Sequence, residues 1–226
     1  MSASLIIPVA ADKPDYMKRL PNMFSLNEEG ICLCVEAAQS MDLKQFDTVY
    51  FTILKQHDDQ YGISDMLKMQ FRRLGLNNAK IVILDKPTSS QAETIHETIN
   101  KEYIVGSICV KDADCSFKAD LNCQGVVVYP LEKLTMVNPQ HKSYVAVDEM
   151  NYITNIIEKR VVDHYFNAGG YWFDEAIVFD EYYERLADQP GLYLSHIIYA
   201  MLLDGYIFRP AIAEEYKDFD VNTVNT

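Results

Sequence analysis

The stretch "GSICVKDADCSF", residues 106–117, sets the reading of the whole chain. Ile108-Cys109-Val110 is an apolar, β-type run that stops abruptly at Lys111-Asp112-Ala113-Asp114. In an extended segment residues i and i+2 face the same side. Asp112 and Asp114 therefore present two carboxylates together, a pattern able to hold one hard cation directly or through its water shell. A solvated turn explains a bare Asp-x-Asp equally well. Position decides between the two, so the flanking elements matter.

Upstream, strand and helix patterns alternate. Leu5 to Ala10 has the length and apolarity of a buried strand. Residues 28–41 place Ile31, Cys34, Val35 and Ala38 at helical spacing. Thr48 to Leu54 is β-branched and aromatic. Residues 61–74 carry Met66, Leu67, Phe71 and Leu74 on one helical face, and Ala79 to Leu84 is a strand again. Ser89 or Ser90 would cap a helix from Gln91 to about Lys101, and Ser107 to Val110 follows. The order β-α-β-α-β-α-β predicts a parallel sheet with helices on both faces. In such sheets ligands bind beyond the carboxyl ends of the strands, which is where Asp112 and Asp114 stand.

The second half changes style. Residues 125–129, 143–147 and 152–157 read as strands joined by short turns, with a hairpin connection through Asp148-Glu149-Met150-Asn151. A short strand at 171–173 and helices at 173–186 and 191–203 come next. Residues 207–209 read as a last strand before an acidic tail. No stretch resembles a linker. The expectation is one α/β domain over residues 1–226, a three-layer α/β/α sandwich on a mostly parallel mixed sheet.

With 33 acidic against 20 basic residues the net charge is −13, which disfavours nucleic-acid backbones and anionic membranes as partners. It leaves nucleotide–metal chemistry open, because a divalent cation can bridge an acidic protein to a polyanion. No apolar run is long enough to span a bilayer. The opening MSASLIIPVAADKPD reads as a first buried strand and not as a signal peptide. Five cysteines with no C-x-x-C pair argue against disulfides and a structural zinc site, and for a reducing, cytoplasmic setting. The five histidines show no metal or catalytic spacing.

Other polar clusters stand beside the Asp-x-Asp. Ile156-Ile157-Glu158-Lys159-Arg160 ends a strand-like run in charges suited to a phosphate, or to plain solvation. Asn167-Ala168-Gly169-Gly170-Tyr171 holds paired glycines that permit close ligand approach, or form an ordinary loop. Pro87-Thr88-Ser89-Ser90-Gln91 could bind an anion or a base edge at a helix N-terminus, though capping alone accounts for the serines. Residues 214–223 form an acidic tail from which a carboxylate could fold back to Asp114.

In order along the chain, "SLIIPVAA", "ILDKPTSSQAET", "ICVKDADCSF", "ITNIIEKR", "NAGGYWF" and "KDFDVNT" together resemble the motifs of the sugar-phosphate nucleotidyltransferases, which have a GT-A-like fold. The resemblance implies that Asp114 and Asp220 bind Mg²⁺, with Asp112 a near neighbour. It implies that Lys159 contacts an acceptor phosphate, with Glu158 and Gly170 lining the acceptor site. Ser90 and Gln91 would face the base, and Ala10, Ala11 and Lys13 would stand in the triphosphate loop. The implied reaction is attack by the phosphate of a small-molecule acceptor on the α-phosphorus of a nucleoside triphosphate, for surface polysaccharide assembly. Two alternatives remain: a nucleotide-binding domain without catalysis, and a glycosyltransferase of the same fold. The chain departs from the family at the first loop, where Ala10-Ala11-Asp12-Lys13-Pro14 replaces a glycine-rich turn, and at Asn222, where glycine is usual. Aromatic residues on the late helices would serve either a homodimer interface or the core.

Overall fold

The computed structural model describes residues 2–10, 20–134 and 142–219. The parallel half follows the sequence pattern closely. β1 (Ala3–Val9) pairs in parallel with β2 (Thr48–Leu54) and β4 (Ser107–Lys111), and β2 pairs with β3 (Ala79–Leu84). Period-2 alternation sends Leu5, Ile7 and Val9 into one core and Ile6 into the other. On the first face lie α1 (Leu33–Gln39) and α3 (Ile63–Leu74), through Cys34, Val35, Ala38, Leu67 and Phe71. On the second lies α4 (Gln91–Glu102), with α5 (Ala176–Leu186) and α6 (Leu194–Leu203), through Ile95, Ile99, Phe179 and Ile198. The molecule is thus a three-layer α/β/α sandwich on a mostly parallel mixed sheet.

Two local details go beyond or against the sequence pattern. Residues 28–32 are not helical: Asn27 Oδ1 accepts from the N–H groups of Glu29 and Ile31, and Gly30 at φ +73° completes a turn before α1. The polar residues after β2 are a helix, α2 (Lys55–Tyr61), ended by Gly62 at φ +65°, from which α3 starts.

The second half builds the rest of the sheet. β9 (Tyr165–Phe173) runs antiparallel between β4 and β6 (Gly125–Pro130), and β10 (Arg209–Ile212) adds in parallel beyond β6. β9 is nine residues long and includes the glycine pair that the sequence placed before a short strand. β7 (Ser143–Val147) and β8 (Ile153–Glu158) form the expected hairpin, pinned by Asp148 Oδ1 accepting from Met150 and Tyr152 N–H. The acidic tail is not free. β11 (Glu215–Asp218) pairs antiparallel with β5 (Cys115–Lys118), the strand that follows the Asp-x-Asp turn. Among the described residues no helix is long and apolar enough to cross a membrane.

Candidate functional site

β4 ends at Lys111, which is fully buried, and the chain turns through Asp112-Ala113-Asp114 into β5. Lys111 shapes this turn. Its Nζ donates to the carbonyls of Asp112 (2.6 Å) and Cys115 (2.8 Å), lies 3.2 Å from Cys115 Sγ, and sits over the Phe117 ring. Three donors on a buried side chain are all matched, so the turn is tied to one point beneath it. The Asp112 N–H donates to Gly169 O at 2.8 Å, and the Phe219 N–H to Asp114 O at 2.8 Å. β9 and the end of β11 thus hold the turn from two further sides.

Above the turn lies a cavity of about 400 Å³. Asp112 and Asp114 line it from the β4 end, and Ser89, Ser90 and Gln91 from the start of α4. Ser90 Oγ accepts from Glu93 N–H, while the Glu93 carboxylate returns to Ser89 N–H. The positive end of the α4 dipole therefore opens towards the cavity. Thr88 bonds both Thr94 Oγ1 (2.6 Å) and the Ala10 carbonyl (3.4 Å), which fastens the helix start to the end of β1. Gln91 Nε2 donates to Asp112 Oδ1 at 2.5 Å, and the Tyr171 hydroxyl approaches Oδ2 at 3.4 Å. Burial pushes the Asp112 carboxyl up to about 6 and the neighbouring Asp114 charge pushes the same way, against Lys111, Gln91 and Lys142.

The opposite wall comes from the second half: Lys142, Ser143, Glu158, Asn167, Tyr193 and Tyr216. Lys142 Nζ donates to Tyr216 Oη and Asp218 Oδ2, both at 2.7 Å. Burial alone would lower the Lys142 pKa, but the hydrogen bond and charge of Asp218 outweigh it, so it stands above the ordinary lysine value. Glu158 Oε2 accepts from the buried Ser195 hydroxyl at 3.0 Å.

The structure brings five of the residues read from sequence to this cavity: Ser90, Gln91, Asp112, Asp114 and Glu158. Lys159 is exposed, at φ +58°, with Nζ on the Tyr193 hydroxyl at 2.7 Å, and it reaches the rim only through Tyr193. Ala10 is buried under Thr88. Gly170 is buried, and a Cβ there would meet Val127 and Phe117 at 2.6 and 2.7 Å, so its smallness admits the Phe117 ring. Its neighbour Gly169 lines the cavity at φ +86°, where a Cβ would stand 2.6 Å from Asp112 Oδ2. Ala11, Lys13 and Asp220 lie outside the described residues. Among the described residues no group of three His, Cys, Asp or Glu side chains converges as a metal cluster.

Sequence reasoning missed Lys111 and Lys142. "HKSYVAV" gives Lys142 no local distinction, since its partners lie more than 70 residues away. Lys111 had a faint signal: it continues the apolar run of β4 and pairs with Gly170 within the sheet.

No family model and no curated protein sequence matches the chain. Solved structures do match in shape. The nucleoside-diphosphate-sugar pyrophosphorylase of Vibrio cholerae RC9 superposes with a TM-score of 0.75 at 17% identity, over 92% of this chain and 91% of that one. The inositol-1-phosphate CTP transferase of T. maritima gives 0.72 at 17%, over 97% and 89%. A UDP-glucose pyrophosphorylase complexed with UDP-glucose gives 0.69 at 10%, over 97% and 93%. At such identities the likeness speaks of architecture, and the chain has the fold of the sugar-phosphate nucleotidyltransferases.

Proposed function

We propose that the chain, acting as one unit, transfers a nucleoside monophosphate from a nucleoside triphosphate to a phosphorylated small molecule such as a sugar phosphate. An acceptor phosphate oxygen forms a bond to the α-phosphorus, the bond from that phosphorus to the bridging oxygen breaks, and pyrophosphate leaves with the electron pair. The observation that carries this reading is the meeting of Asp112, Asp114, the α4 N-terminus, Lys142 and Glu158 on one cavity at the carboxyl ends of parallel strands. Phosphoryl-type transfer asks a protein mainly for positioning and charge neutralisation, and this set offers both.

The donor set suits Mg²⁺. Two carboxylates two residues apart, one made harder to ionise by burial and by the other, are the environment that a hard cation relieves. Asp112 and Asp114 would hold it, and Asp220 joins that proposal on sequence grounds, one residue after Phe219. A bound cation would offset the charge on the phosphates. Ser90 and Gln91 would orient the nucleotide, and Ala10, Ala11 and Lys13 join that proposal on sequence grounds. Glu158 would form the acceptor side, with Lys159 on the rim through Tyr193 and Gly170, packed against Phe117, supporting that wall from behind. The proposal extends, on the sequence resemblance, to supplying activated sugars for surface polysaccharides in the cytoplasm.

The test is pyrophosphate release from a panel of nucleoside triphosphates and sugar phosphates with Mg²⁺. Release that needs both substrates and vanishes in Asp114→Ala is expected. Transfer from a nucleotide-sugar with no pyrophosphate formed would replace this reading with a glycosyltransferase. Binding of nucleotide without turnover would replace it with a non-catalytic one.

A further inference from the structure

We propose that Lys142, held by the C-terminal strand β11, is the lysine that grips the phosphate chain in this cavity. The inference rests on the nucleotidyltransferase reading and makes it specific. Among the described residues lining the cavity Lys142 is the one with a cationic side chain. Lys111, at the end of β4, spends its Nζ on the carbonyls of the acidic turn. Lys159 is one ladder step away, its N–H donating to Lys142 O at 2.9 Å, yet its side chain lies on the Tyr193 ring and hydroxyl outside the cavity lining.

Lys142 faces the same cavity as Asp112 and Asp114. An ammonium has three donors, and Tyr216 and Asp218 take two of them. The aromatic rings of Phe166 and Tyr216 lie 5.8 and 5.3 Å from Nζ, so the side chain is held in one orientation, and among the described residues its third donor is left for a ligand oxygen. β11 is paired to β5, which leaves the Asp-x-Asp turn directly. One short ribbon therefore fixes both the lysine that would hold the phosphates and the turn that would hold their counter-ion. Tyr216 and Asp218 act as positioning residues, through Lys142.

The probe is inorganic pyrophosphate with Mg²⁺, titrated into the full chain by calorimetry at several salt concentrations. Lys142→Met should weaken binding by about tenfold or more, as loss of a charge-assisted contact does, and should flatten the salt dependence. Lys159→Met should weaken it no more than about threefold, as an exposed charge does. Tyr216→Phe should shift affinity and salt dependence in the direction of Lys142→Met, by less. If Lys142→Met alone melts early, Lys142→Met/Asp218→Asn removes both charges and must show the same loss. Unchanged affinity in these Lys142 variants, or the larger loss in Lys159→Met, overturns the assignment while leaving the function in place. A wild-type chain that binds neither pyrophosphate nor any nucleoside triphosphate removes both.

Discussion

The two walls of the cavity are built differently. The wall from Ser89 to Asp114 is local: a helix start, a strand end and a tight turn, all within 26 residues of chain. The wall from Lys142 to Tyr216 is assembled from β7, β8, β9 and β11, and it is aligned by hydrogen bonds that span 53 to 76 residues, such as Cys115 to Ala168 and Lys142 to Asp218. The local wall carries the Asp-x-Asp carboxylates and the helix dipole. The distant wall carries the cation and sets where the turn sits. Chemistry that repeats along a chain can be legible locally, whereas its alignment depends on long-range pairing.

The largest effect should come from Asp114→Asn. It leaves the backbone bond from Phe219 intact, and we expect pyrophosphate release to fall on the order of 10²-fold or more with the melting temperature nearly unchanged. A fall in melting temperature large enough to explain the lost activity would erase the division between chemistry and alignment. Next is Lys111→Met. It strips donors from one buried and one part-buried carbonyl and should cost roughly 2–4 kcal/mol in urea unfolding; a neutral result would mean that the turn is not held from below. Gly169→Ala should lower stability by roughly 1–3 kcal/mol, since it adds a Cβ at positive φ and against Asp112. Because Gly169 belongs to the distant wall and its Cβ would strike the local one, Mg²⁺ affinity measured by calorimetry should fall with it. Ser90→Ala is the mildest, about 1 kcal/mol from loss of the helix cap, read by thermal unfolding. An effect much above that would show that Ser90 does more to the fold than start α4.

Much of the architecture was legible because apolar periodicity reports burial directly. Leu5 to Ala10, Thr48 to Leu54 and Ala79 to Leu84 are buried runs with helical patterns between them, and that alternation admits few topologies. A cap at Ser89 or Ser90 and the Asp-x-Asp at a strand end were legible as short-range patterns with a mechanism, and the structure settles the cap on Ser90. The errors fell where side chains compete locally with helix formation, as Asn27 does before α1, or where glycine permits a kink without ending a strand, as Gly169 does within β9. The acidic tail looked solvated because strand pairing with β5 leaves no trace in its own composition. Lys142 was silent, and Lys111 nearly so, for a related reason: a lysine becomes part of a site only through what the fold sets around its Nζ.

The most direct test of the account is thermal unfolding of the wild type and Asp114→Asn with each nucleoside triphosphate, with and without Mg²⁺. A ligand at a hundred times its Kd adds about 2.7 kcal/mol of stability. The account predicts a rise in melting temperature for the wild type with at least one triphosphate, dependent on Mg²⁺ and lost in Asp114→Asn. No rise with any triphosphate, or an equal rise in Asp114→Asn, would contradict it.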